Sequence, residues 1–215
     1  MMRSRWFGYG AVAVAILVSL ATYGQLPPRV ATHWNVQGEP DGFSTRLVAV
    51  TALPLLMLAM RGILAVLPAI DPKGENYAKF ATTYWLLFNG VLSFMLLMHL
   101  VIVVHGAGYP VRVDRIAVGG VGLLFALIGN YLGRLEPNWF VGIRTPWTLS
   151  SNTVWRRTHR VGGWIFVLGG LAIVATVFLP AAALPIVLAT VGTVVVVPVV
   201  LSYLWWKRER DAQHR

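Results

Sequence analysis

The chain has 215 residues, 57% of them hydrophobic and only 12% charged, and its mean hydropathy is +0.67. A soluble domain carries about 25% charged residues, so this is membrane-protein composition, and the formal charge of +10 reads as membrane topology rather than as a nucleic-acid footprint. Cysteine is absent, which excludes disulfides, thiolate nucleophiles and Cys-ligated metals.

A bilayer is crossed by roughly 17 to 25 mainly apolar residues, and six stretches qualify: 6–23, 47–68, 82–104, 116–132, 161–179 and 184–206. The sequence therefore predicts an all-α integral membrane protein, a compact bundle of six transmembrane helices. The first stretch follows Arg3 and Arg5 but lacks a clean small-residue cleavage pattern, and it reads as a retained helix rather than a leader. After it, residues 25–46 are a turn-rich connection. Pro27 and Pro28 stop the helix, Pro40-Asp41-Gly42 marks a turn, Asn35 or Asp41 is suited to bond its own backbone, and Gly38 and Gly42 permit positive φ. A long connection of this kind is often functional, which singles out His33, Trp34, Asn35 and Asp41.

The second helix holds Arg61, expected to snorkel to the nearer interface, and Pro54, expected to loosen it as Pro198 loosens the sixth. Asn89 and His99 lie within the third helix, and Asn130 ends the fourth. Residues 129–163 form the second irregular region. It has a Glu-Pro-Asn turn ending at Asn138, then Gly142, Ile143, Arg144, Thr145 and Pro146. A short amphipathic helix follows, with Ser150, Ser151 or Asn152 as its cap. Val154, Trp155 and Thr158 are expected to face lipid there, while Arg156, Arg157 and Arg160 face headgroups. Trp6, Trp139, Trp147, Trp155, Trp164, Trp205 and Trp206 fall near one set of predicted boundaries, as an interfacial belt does.

Charge orients the bundle. With the N-terminus inside, the inner segments hold 13 cations: Arg3, Arg5, Lys73, Lys79, Arg134, Arg144, Arg156, Arg157, Arg160, Lys207, Arg208, Arg210 and Arg215. The outer segments hold 4, Arg29, Arg46, Arg112 and Arg115. The bias places both termini in the cytoplasm, the loop 25–46 outside and the loop 133–160 inside. His33, His99, His105, Glu39, Asp41 and Asp114 then fall near the outer face. His33, His99 and His105 are the weak metal candidates among them, but no H-E-x-x-H, G-x-S-x-G or nucleotide loop points to an enzyme. No cofactor and no direct nucleic-acid binding are expected.

Both irregular regions carry a resemblance. The stretch "LPPRVATHWNVQGEPDGFSTR" is similar to the N-terminal motif of the DUF1648 family through Leu26, Pro27, His33, Trp34, Asn35, Gly38, Pro40, Asp41 and Gly42. The stretch "GNYLGRLEPNWFVGIRTPWTLSSNTVWRRTHRVGG" resembles the C-terminal domain of SdpI-type immunity proteins, through residues that include Asn130, Asn138, Gly142, Arg144, Thr145, Pro146, Trp155 and His159. The resemblance implies two units, 1–110 and 111–215, each with three transmembrane helices. It also implies a bacterial inner-membrane protein that protects against a secreted antimicrobial peptide toxin, with membrane lipids as surroundings and a cytoplasmic repressor as a second partner. The alternative is a small-molecule or lipid transporter, or a membrane enzyme, in which His33, Asp41 and Arg144 or Arg61 line one polar cavity.

Overall fold

In lipid a backbone must satisfy its own polar groups, so long apolar runs become helices. A computed structural model describes residues 3–213 and shows seven helices among them: α1 (Phe7–Thr22), α2 (Arg46–Ile70), α3 (Tyr77–Gly106), α4 (Val113–Leu132), α5 (Pro146–Ser150), α6 (Asn152–Ala175) and α7 (Ala183–Gln213). All except the five-residue α5 are long and apolar enough to span a membrane. Arg215, counted above in the basic tail, lies outside the described residues.

The structure corrects the sequence reading in five places. The connection between α1 and α2 is not loop alone but an antiparallel hairpin, β1 (Arg29–Trp34) and β2 (Pro40–Thr45), added to an otherwise helical bundle. Gly38 has φ +82 in the hairpin loop, whereas Gly42 is not in the left-handed region; the constraint at Gly42 is lateral, since a Cβ there would stand 2.8 Å from His33 Cβ. The expected separate amphipathic helix is the first part of α6, capped by Ser151, whose Oγ accepts from the Val154 amide. Val154, Trp155 and Thr158 do not face lipid but are buried in the bundle, because with His159 and Gly162 they line one inward stripe at helical spacing. Finally, Arg61 does not snorkel. It is 3% exposed, and its guanidinium lies between the Tyr9 and Trp85 rings, 4.2 and 4.5 Å from their centroids.

Two prolines explain part of the packing around α2. Pro54 and Pro68 lack the N–H that would bond the carbonyls four residues earlier. A neighbouring helix supplies each missing donor. Ser19 Oγ of α1 lies 2.7 Å from the Val50 carbonyl, and Tyr84 of α3 donates to the Leu64 carbonyl at 2.6 Å. His99 completes the first arrangement, its Nε2 3.0 Å from Ser19 Oγ. Tyr84→Phe should therefore cost about 1–2 kcal/mol in thermal unfolding in detergent. The loss should largely vanish in the Pro68→Ala background, where an amide again reaches Leu64; an undiminished loss there would refute this account.

The most extensive helix–helix interface joins α4 and α6. It is made of glycines seven apart on both helices. A Cβ on Gly129 would stand 2.5 Å from the Gly163 carbonyl, and one on Gly170 would stand 2.5 Å from the Gly122 carbonyl. The two backbones touch, as small residues allow in membranes.

Candidate functional site

The hairpin is held over one end of the bundle. Leu26 and Val30 pack against Ala49, Val50, Ile102 and Ala107, and Thr45 caps α2. Its loop is closed by Asn35, whose Oδ1 accepts from the Gln37 and Glu39 amides at 3.0 and 2.9 Å. Asp41 does not bond its own backbone; it pairs with His33 across the strands at 2.5 Å, an exposed contact. At the loop tip Gly38 sits against Asp114 of α4, where a Cβ would stand 3.0 Å from the Asp114 side chain. Asp114 in turn accepts two hydrogen bonds from the exposed Arg112 at 3.2 and 2.9 Å, and these raise the pKa of the guanidinium by favouring its charged form.

Beneath this hairpin, between α2, α3 and α4, opens a groove of about 540 Å³. Its walls are apolar, with Ala52 and Leu53 on one side, Met98 and Ile102 at the back, and Ala117 and Val118 opposite. Its mouth is polar, with Thr32, His33, Trp34, Asn35 and Asp114. Trp34 packs edge-on against His105 at 5.3 Å. Its Nε1 is buried without an acceptor among the described residues. A buried N–H of this kind is a donor in search of a partner. The site can thus receive an elongated apolar group and one hydrogen-bond acceptor.

The opposite end of the bundle is organised differently. Asn138 is fully buried and spends its amide on the loop itself, donating to the Glu136 and Val141 carbonyls and accepting from the Phe140 and Val141 amides. Gly142 has φ +112, and a Cβ on it would run into His159. The Ile143 amide donates to His159 Nε2 at 2.9 Å while Nδ1 faces the Trp155 carbonyl at 2.9 Å. Those two partners fix the neutral tautomer with its proton on Nδ1. Trp155 stacks on His159 and donates to the Leu135 carbonyl at 2.7 Å. Thr145 and Thr148 form a capping box with Pro146 at the first turn of α5, and Thr145 Oγ1 also meets Ser202 of α7 at 3.0 Å. These side chains bond one another and hold the loop.

Arg144 is exposed and donates to the Trp139 carbonyl at 2.7 Å, and Asn130 is exposed on α4. Asp71 was not singled out by sequence. It is buried at the end of α2, where its carboxylate accepts from Tyr77 and from the Trp139 amide, both at 2.9 Å, tying the α2–α3 turn to this loop. Its signal was present: it is the acid that directly follows the apolar run of α2.

The structure does not bring His33 and Asp41 together with Arg144 or Arg61. The first two stand at the hairpin end, Arg144 stands at the other, and Arg61 donates to the Arg5 carbonyl at 3.0 Å beside the start of α1. The shared polar cavity expected of a transporter or membrane enzyme is therefore not formed by them. Nor do the three histidines gather. His99 is bonded to Ser19 inside the bundle and His105 packs on Trp34, and among the described residues no group of three or more His, Asp or Glu is placed to hold a metal ion.

Comparison with known proteins matches each end to a family. Residues 10–58, which include the hairpin, match a domain of unknown function, DUF1648, and residues 134–202, which include the Asn138–His159 loop, match the SdpI/YfhL protein family. The immunity protein SdpI of Bacillus subtilis (strain 168) is 27% identical over 198 residues, covering 92% of this chain and 93% of that protein. No solved structure matches. The chain thus carries a segment that matches DUF1648 followed by one that matches the SdpI/YfhL family, and over nearly its whole length it is similar to an immunity protein of the SdpI type.

Proposed function

We propose that this multi-pass inner-membrane protein gives its cell resistance to a secreted peptide toxin by capturing the peptide in the groove beneath the hairpin. The role is one of binding rather than catalysis. The groove carries the reading: it is apolar in its depth, polar at its mouth, and contains the unpartnered Trp34 N–H. An amphipathic peptide offers the matching surface, with apolar side chains for the walls and a carbonyl for the indole. The similarity to an immunity protein of Bacillus subtilis supports the toxin class. The distribution of charge supports the orientation, since the hairpin end carries Arg29, Arg46, Arg112 and Arg115 while most other cations lie at the far end. In this orientation the hairpin faces outward, and the loop around Arg144 is the surface available to a cytoplasmic regulator.

The test fills the groove without touching the hairpin. Expressed in a toxin-sensitive strain, the wild-type chain should raise the lethal toxin dose. Ala52→Trp and Ala117→Trp, on opposite walls, should reach the membrane in normal amount yet lower that dose about tenfold or more, the equivalent of about 1.4 kcal/mol of binding. Absence of protection by the wild-type chain, or equal protection by both variants, would overturn the proposal.

A further inference from the structure

A second cavity, of about 230 Å³, lies where α6 begins and α7 leaves its apolar run, lined by Thr153, Arg157, Trp205, Arg208 and Glu209. Its charges are unbalanced. The Glu209 carboxylate accepts from Ser151 Oγ at 2.6 Å, and neither Arg157 nor Arg208 makes an ion pair among the described residues. Two guanidinium groups and one carboxylate therefore line the recess, an excess of one positive charge, and the carboxylate is engaged by Ser151 rather than by either arginine.

The surroundings have the shape of an amphiphile. Trp164, Leu168 and Leu171 stand 7, 11 and 14 positions after Arg157, on the same helical face, and are 66%, 64% and 54% exposed. On α7, Leu204 is also exposed one turn before Arg208. Each arginine thus stands at the polar end of an apolar strip that faces lipid. Trp205 lines the recess at the change from apolar to charged sequence, where indoles favour the membrane interface.

We infer that this recess is a binding site for the phosphate of an anionic phospholipid in the leaflet at the α5 end, with the acyl chains lying along the exposed strips of α6 and α7. Guanidinium suits phosphate because it presents paired N–H donors in the geometry of two phosphate oxygens, and basic recesses between transmembrane helices hold anionic headgroups in this way. Phosphatidylglycerol meets the requirement. Phosphatidylcholine presents the same phosphate beneath a cation and does not. The site is independent of the toxin-capture reading and stands or falls without it.

The experiment uses the full chain, purified in a neutral detergent, with phosphatidylglycerol or phosphatidylcholine titrated into the micelles and retained lipid measured by native mass spectrometry. The wild-type chain should retain phosphatidylglycerol and release phosphatidylcholine. Each cation is worth about fivefold in affinity, so Arg157→Gln with Arg208→Gln should weaken phosphatidylglycerol about 25-fold. The charge-matched pair Arg134→Gln with Arg156→Gln should stay within about twofold of wild type, on the same scale. Equal weakening by both pairs would show a diffuse basic surface and overturn the site. Equal retention of the two lipids would show ordinary annular lipid, and competition by millimolar inorganic phosphate would show a headgroup-free anion site; either result also overturns it. If the double variant does not fold, Arg208→Gln alone should give the fivefold loss, and its absence counts against the site.

Discussion

Gly129→Ala should lower the unfolding free energy of the detergent-solubilised protein by about 3 kcal/mol or more, at the upper end of what overpacking costs. The single methyl would stand 2.5 Å from the Gly163 carbonyl and 2.6 Å from the Val167 amide nitrogen. Both are backbone atoms, so relief requires α4 and α6 to separate rather than a side chain to turn. Gly163→Ala meets the same wall from the other helix, with a Cβ 2.7 Å from the Gly129 carbonyl. The contrast comes from glycines in open space. Gly10 in α1 and Gly192 in α7 have nothing within 4 Å of the added carbon, so alanine there should be neutral or gain up to about 1 kcal/mol from helix propensity. Thermal aggregation followed by size exclusion separates the two classes. A Gly129→Ala protein as stable as Gly192→Ala would show that the α4–α6 contact is not close.

The second large effect is expected at His159. His159→Leu keeps an apolar volume but removes the acceptor of the Ile143 amide, leaving a buried N–H unpaired, and it ends the stacking on Trp155. The orphaned group costs about 1–3 kcal/mol and imperfect repacking about 1 more, enough to bring a marginally stable protein close to unfolding. Gly142→Ala should be comparably harmful, because its φ of +112 disfavours a side chain and the new Cβ would collide with the same imidazole nitrogen. Since the two residues meet at one contact, Gly142→Ala with His159→Ala should cost less than the sum of the single changes. Strict additivity in unfolding measurements would show that they act separately.

Both effects fall at the end of the molecule that is closed by its own hydrogen bonds, while the unpartnered indole N–H and the larger groove belong to the hairpin end. The contrast divides the residues marked by sequence. Asn138, Thr145, Trp155 and His159 spend their polar atoms on neighbouring protein groups, so their substitution should be read first through folded amount. Trp34 and Asp114 border the groove, and His33 stands at its mouth.

Much of the bundle was legible in the chain itself. Spanning length and apolar content belong to each segment separately, and the demand that a backbone in lipid satisfy itself turns such a segment into a helix without reference to its neighbours. Positive-φ glycine was legible at Gly38, because a tight loop announces itself locally. The hairpin was not read, although Val30, Thr32 and Trp34 alternate along β1; six residues of strand propensity mean little until a partner strand and the ends of α2 and α3 complete the surface they cover. The start of α6 was misread for a related reason. Arg156, Arg157 and Arg160 advertise an interfacial helix, while the inward face of Val154, Trp155 and His159 becomes evident only when the loop folds over it. The sequence alone therefore determined the number of spanning helices and the places where the chain turns. Tertiary structure decided which histidine is an acceptor, which proline-freed carbonyl finds Ser19 or Tyr84, and where the groove opens. Those are properties of pairs of residues far apart in the chain, and no local pattern records the distance between them.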